Sequence, residues 1–122
     1  MTRNKLAIIG GSGLYEIEGL ANLKWKTIKT PWGKPSDQVL NFEYKEREVC
    51  FLPRHARGHK ISPTNINFRA NIDALKQSGV TDIVSVSAVG SLKENLDPGT
   101  FVLVDQFIDR TFARLKHFLT KR

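Results

Sequence analysis

Lys5-Leu-Ala-Ile-Ile-Gly-Gly-Ser-Gly13 is the stretch from which the fold can be read. Leu6 to Ile9 is a short apolar run halted by Gly10-Gly11, the pattern of a strand buried on both faces and closed by a turn. A buried strand needs partners, and the chain downstream offers several. Leu23 to Thr30 alternates weakly through Leu23, Trp25 and Thr27, which predicts a second strand broken by Pro31-Trp-Gly-Lys-Pro35. Gln38 to Tyr44 alternates through Val39-Leu40, Phe42 and Tyr44. Glu48 to Leu52 follows a charged turn, so the pair reads as a hairpin or meander ended by Pro53.

A polar, basic loop runs from Arg54 to Ile61. Ser62 then suits a helix cap and Pro63 a first helical turn. Phe68, Ile72 and Leu75 recur at helical spacing, which predicts an amphipathic helix over about 64–77 with Gly79 as terminator. Asp82-Ile-Val-Ser-Val86 is a β-branched strand running into Ser87-Ala-Val-Gly90. Asp97-Pro-Gly99 is a turn, and Phe101 to Val104 reads as one more strand. Strand, glycine loop, strands, helix, strand is the order of an α/β domain: a mixed sheet flanked by helices.

Composition narrows the function. The chain has 122 residues, 40% of them hydrophobic and 25% charged, which fits one globular domain and argues against disorder. No apolar run approaches the roughly 20 residues of a membrane helix, and Leu6–Ile9 is too short for an export signal, so the expected location is the cytoplasm. One cysteine, Cys50, excludes an intrachain disulfide; within Val49-Cys-Phe51 it reads as a packed core thiol. Lys and Arg total 19 against 12 Asp and Glu, a net +7. The twelve residues Thr111–Arg122 hold four bases and no acid; the remainder carries 15 bases and 12 acids, only +3. Within that remainder Arg54, Arg57, Lys60 and Arg69 fall in an acid-free stretch between Cys50 and Asn71. Such a stretch suits an anionic partner, a phosphate-bearing small molecule or a nucleic acid.

Three segments could carry chemistry. Gly10-Gly11-Ser12-Gly13 could present backbone N–H groups and a hydroxyl to an anion, or simply be a tight turn. Glu16 stands where a dinucleotide fingerprint needs a small residue, and Tyr15-Glu16 where a triphosphate loop needs Gly-Lys. In Pro53-Arg54-His55-Ala56-Arg57-Gly58-His59-Lys60 a guanidinium and an adjacent imidazole could grip an oxyanion, against the plainer reading of a solvated basic loop. His55 and His59 are four apart, but helix-breaking Pro53 and Gly58 lie in the segment and no Glu follows His55, which argues against a zinc helix; no metal is expected. Ser85-Val-Ser87-Ala-Val-Gly-Ser91 is either a polar floor at the strand edge where α/β sheets bind ligands, or a plain serine-rich turn. Asp105 and Asp109 read as residues that cap or pair locally. Phe112, Leu115, Phe118 and Leu119 make a helix-like stripe in the tail, beside an exposed His117.

Six motifs in order carry a resemblance: Ile8-Ile-Gly-Gly-Ser-Gly-Leu14; Thr30-Pro-Trp-Gly-Lys-Pro-Ser-Asp37; Leu52-Pro-Arg-His-Ala-Arg-Gly-His59; Ser62-Pro63 with Asn67-Phe-Arg-Ala-Asn71 and Ala74-Leu-Lys76; Ser87-Ala-Val-Gly-Ser-Leu-Lys93; and Asp105-Gln-Phe-Ile-Asp-Arg-Thr111. Together they resemble the methylthioadenosine phosphorylase family, within the trimeric class of purine nucleoside phosphorylases. The resemblance implies a pentosyltransferase of methionine and purine salvage. Phosphate attacks the anomeric carbon of a purine (thio)nucleoside and releases the base, with phosphate a co-substrate and no cofactor. It implies Ser12, Arg54, His55, Ser87 and Ala88 as phosphate-site residues, and Ala88, Val89 and Gly90 as part of the substrate pocket floor. The family's chain is more than twice this length. Residues 1–111 therefore read as the N-terminal part of a nucleoside phosphorylase domain, and 112–122 as a truncated or replaced basic tail departing from the family. Leaving-group residues are expected beyond Arg122, so catalysis by this stretch alone is not expected. A homotrimer is expected of the full-length family member, and no membrane partner. Two alternatives stand: a purine nucleoside phosphorylase of other base or sugar preference, and a non-catalytic remnant binding anions or nucleic acid. The body's +3 and the lack of a recognition helix argue against the last.

Overall fold

The computed structural model describes residues 4–11, 17–112 and 118. Five strands form one mixed sheet: β1 Leu6–Gly10, β2 Ala21–Lys26, β3 Val39–Tyr44, β4 Arg47–Pro53 and β5 Asp82–Ser85, in the order β2-β3-β4-β1-β5. β1 lies between β4 and β5 and runs parallel to both, with Ala7 opposite Cys50 on one side and Ile83 on the other. β3 and β4 form the expected antiparallel hairpin, closed by Tyr44 opposite Arg47, and β2 adds antiparallel to β3. This is the α/β mixed sheet that the order of motifs predicted.

Side-chain alternation along the strands builds a core on each face. Ala7, Ile9, Val39, Cys50 and Leu52 point to one face and pack with Ala74 and Leu75 of helix α1, Phe68–Gln77. Leu40, Phe42, Val49 and Phe51 point to the other, with Trp25 and Leu20 against them. Each large apolar side chain so buried contributes about 1.5–3 kcal/mol. Cys50 is a core thiol; burial pushes its pKa up, and its Sγ lies 3.2 Å from Asn41 Oδ1.

α1 starts later than the expected residue 64. Pro63–Asn65 makes a single 3-10 turn, and Ser62 makes no capping bond. Ile66 turns extended and buries itself, and Asn67 restarts the helix by accepting the Ala70 N–H at 3.2 Å. Ser62-Pro63 has the chemistry of a cap, but the buried Ile66 takes the chain out of helical geometry first. Asn67 also donates to the Trp32 carbonyl at 2.8 Å, and the buried Asn71 holds Ser36 by two hydrogen bonds of 2.7 and 3.0 Å. These bonds fasten the helix to the loop before β3. At its C-terminal end Gly79, at φ +78°, donates to Lys76 and Val80 donates to Leu75, so glycine ends the helix as expected.

The chain divides into two compact units, Met1–Ser87 and Ala88–Arg122. The Asp97-Pro98-Gly99 turn is present, with Thr100 donating to the Asp97 carbonyl at 3.1 Å. The strand expected at Phe101–Val104 is absent: Phe101 and Leu103 are 94% and 98% exposed and lie in no ladder. β-propensity describes a side chain's fit to a sheet surface, so composition alone does not make a strand. Asp109 accepts from Thr111, a local turn contact. Of the tail's apolar stripe, Phe112 is exposed, whereas Leu115 and Leu119 lie outside the described residues, as does His117.

Candidate active site

Three parallel strands deliver their C-terminal ends to one rim of the sheet. β1 ends at Gly10, β4 at Pro53 and β5 at Ser85. The backbone is laced across this rim: Arg54 N–H donates to the Gly10 carbonyl at 2.9 Å, and Val86 N–H to the Ile9 carbonyl at 2.8 Å. The pairing places the segments after β4 and β5 on either side of β1, at the edge where open α/β sheets take their ligands.

Arg54 spans that rim. Its Nη1 donates to Ser87 Oγ at 2.6 Å and to the Val86 carbonyl at 3.3 Å, and its Nε donates to His55 Nε2 at 3.3 Å. His55 Nδ1 lies 2.9 Å from the Ile61 carbonyl. A carbonyl can only accept, so Nδ1 carries the proton in the neutral ring and Nε2 is the acceptor for Arg54. Arg54, His55 and Ser87 therefore come together. Ser12 lies outside the described residues, and beside it Gly11 has open space where a Cβ would stand. Ala88, Val89 and Gly90 belong to the second unit and are exposed there.

The two arginines of this loop have opposite surroundings. Arg57 forms a bidentate pair with Asp37, with Nε to Oδ2 and Nη2 to Oδ1 both at 3.0 Å, and its backbone N–H donates to Oδ2 at 2.8 Å. Its guanidinium lies 3.9 Å from the Trp25 ring centroid and donates to Gln38 Oε1 at 3.0 Å. Burial pushes the Asp37 carboxyl up, but the Arg57 hydrogen bonds outweigh it and hold the group below its ordinary 3.8. Arg54 has no carboxylate partner among the described residues; its contacts are a carbonyl, a hydroxyl and an imidazole. A partly buried cation with neutral neighbours is suited to receive an anion. Asp37 and Arg57 were not singled out from sequence as site residues. The available signal was that Arg57 sits in an acid-free stretch, so its partner had to come from elsewhere, and Asp37 is the sole acid between Thr30 and Gln38.

The loop itself is conformationally costly. Ala56 and His59 sit at φ +60° and +51°, left-handed values unusual for residues with a Cβ, with Gly58 between them at +78°. His55 and His59 stack with ring centroids 5.8 Å apart. Among the described residues no group of three or more His, Cys, Asp or Glu could hold a metal, and no helix is long and apolar enough to cross a membrane.

Comparison with known proteins gives this geometry a family. Residues 5–120 match the model of the Phosphorylase superfamily. S-methyl-5′-thioadenosine phosphorylase of Rhodospirillum rubrum is 60% identical over 116 residues, covering 95% of this chain and 40% of the relative. The Cereibacter sphaeroides protein of the same name is 57% identical over 116 residues, again covering 95% and 40%. Methylthioadenosine phosphorylase from Schistosoma mansoni in complex with adenine superposes with a TM-score of 0.86 at 41% identity, covering 95% of this chain and 42% of that one. The chain thus spans about 40% of the length of the curated relatives it matches. Sequence, sheet order and the match over residues 5–120 agree that the chain belongs to the phosphorylase superfamily.

Proposed function

We propose that this chain forms the phosphate-binding part of an enzyme that cleaves S-methyl-5′-thioadenosine with inorganic phosphate. The glycosidic C–N bond breaks, a phosphate oxygen bonds to the anomeric carbon, and adenine leaves with a proton, giving 5-methylthioribose 1-phosphate. One observation carries the proposal: Arg54, without a carboxylate partner among the described residues, is bonded to Ser87 across the rim of three parallel strands. The high identity to relatives of that name supports the choice of substrate.

Each residue has a role in this reading. Arg54 neutralises the phosphate and orients it with two N–H groups. The Ser87 hydroxyl, with Ser12 and the Ala88 backbone, donates to phosphate oxygens. His55 keeps the guanidinium plane in register. Ala88, Val89 and Gly90 contribute to the floor under purine and sugar. Holding phosphate against the anomeric carbon makes an intermolecular attack effectively intramolecular. Stabilisers of the leaving purine belong to the part of the relatives that this chain does not span. The same reading includes a homotrimer of the full enzyme, a cytoplasmic location, and no cofactor beyond phosphate as co-substrate.

The test is phosphate titration of the chain by calorimetry, with adenine release from S-methyl-5′-thioadenosine followed in parallel. Phosphate should bind to the wild type and be lost in Arg54→Ala. An Arg54→Ala chain that binds phosphate as well as wild type would sink the assignment.

A further inference from the structure

We propose that Asp37 is a positioning residue for the phosphate site: acting through Arg57, it holds the loop that carries Arg54 and His55. The inference rests on the phosphate reading above and deepens it.

The loop after β4 must be held from outside. Ala56 and His59 occupy left-handed backbone conformations, which persist only where the surroundings over-determine them. Part of the constraint is internal: Ile61 N–H donates to the His55 carbonyl at 3.1 Å, and His59 N–H to the Ala56 carbonyl at 3.2 Å. Arg54 ties the start of the loop to Gly10 and Ser87; at its middle the carboxylate anchor is Asp37, which lies 20 residues before Arg57 in the segment leading into β3. Its two oxygens take three N–H groups of Arg57, one from backbone and two from the guanidinium, at 2.8–3.0 Å. A backbone bond constrains the loop's path directly. The bidentate pair, stacked on Trp25, fixes its rotation. The Asp37 side chain is only 12% exposed, so water competes weakly for its oxygens, while the Arg57 side chain keeps an exposed edge at 42%. The pair is neutral as a whole, so it anchors the loop while leaving the charge of Arg54 uncompensated.

Positioning and electrostatics make opposite predictions here. Asp37→Asn removes a negative charge near an anion site, and charge alone would tighten phosphate binding. If Asp37 positions the loop, binding weakens instead, because misplacement of a binding group costs far more than a distant charge returns. Arg57→Lys keeps the charge but loses the planar fork, so charge alone predicts no change and positioning predicts a loss.

The experiment titrates inorganic phosphate into the wild type, Asp37→Asn and Arg57→Lys chains, with amide hydrogen exchange on each. The expected result is phosphate affinity down about tenfold in both variants. Faster exchange should be confined to residues 54–61, with β1, β4 and α1 amides unchanged. Tighter or unchanged binding in the variants, beside a wild type that binds, overturns the positioning role alone. So does unchanged exchange at the Arg57 and Ile61 amides. A wild type that binds no phosphate at millimolar concentration overturns the phosphate reading itself, and this role with it. Should Asp37→Asn not fold, Arg57→Lys decides the matter by the same two measurements.

Discussion

The β3–β4 hairpin turns on two residues poorly suited to it. Tyr44 pairs with Arg47, so Lys45 and Glu46 are the whole loop, and both have positive φ, +48° and +61°. That is the pattern of a type I′ turn, which strongly prefers Asn-Gly. A residue with a Cβ costs about 1–2 kcal/mol in left-handed geometry. Glu46→Gly removes that cost but returns about 0.4–1 kcal/mol through the greater freedom of the unfolded chain. Lys45→Asn gains less, since Asn tolerates the left-handed region only better than Lys does. It also gives up the contact of Lys45 Nζ with the Tyr44 ring at 5.4 Å, worth about 0.5 kcal/mol when exposed. The balance for the double variant is a stabilisation of about 1 kcal/mol, or roughly 3–5 °C in Tm for a domain of this size. Urea unfolding at unchanged slope and a thermal melt by circular dichroism would measure it. Lys45→Ala with Glu46→Ala is the control: it keeps a Cβ at both sites and should gain nothing. A double Asn-Gly variant that melts no higher than wild type, or a control that gains as much, would refute the reasoning from backbone strain.

Other perturbations have equally definite outcomes. Ser87→Ala leaves Arg54 its bond to the Val86 carbonyl but removes one hydroxyl from the anion site; phosphate affinity should fall by about two- to tenfold by calorimetry. Leu75→Ala, at a fully buried position against Ala7, Ile9 and Leu52, should cost about 2–5 kcal/mol in urea unfolding. Asn67→Ala removes both the helix cap and the bond to the Trp32 carbonyl and should cost about 1–2 kcal/mol by the same method. The Asp37 carboxyl titrates below 3.8 when folded, despite burial, because of the Arg57 bonds. A depressed folded pKa contributes stability above the unfolded value that drains away as pH falls through the folded one. The wild type should therefore lose more stability than Asp37→Asn between about pH 4 and lower pH, measured by melts across that range.

What could be read from the sequence depended on how local the determining physics was. β1 and the β3–β4 hairpin were legible because an apolar run and an alternating pair each announce a buried strand within a few residues. Gly79 was legible as a terminator because a left-handed C-cap is a single-residue requirement. The start of α1 was misread because Ser62-Pro63 satisfies the local chemistry of a cap, while the burial of Ile66, a tertiary event, moves the true cap to Asn67. Phe101–Val104 was misread because its composition suits a strand, but a strand also needs a ladder. For the site, the chemistry of Arg54, His55 and Ser87 suggested an anion. Their meeting follows from β1 lying between β4 and β5, a parallel pairing between segments more than 30 residues apart that no local pattern encodes. Asp37 was overlooked for the same reason, its partner being 20 residues away in a different loop.

The direction of β4 keeps apart the two ends of the sheet that matter here. The strand begins at Arg47, beside the Lys45-Glu46 turn, and ends at Pro53, beside Arg54. At about 3.3 Å per residue its seven residues separate those ends by roughly 20 Å. A fluorophore or affinity tag spliced into the hairpin tip would thus sit farther from Arg54 than the Debye length, about 10 Å at ordinary ionic strength, so salt screens the two from each other. The tip is a natural handle for watching the chain unfold while the anion end is left chemically untouched.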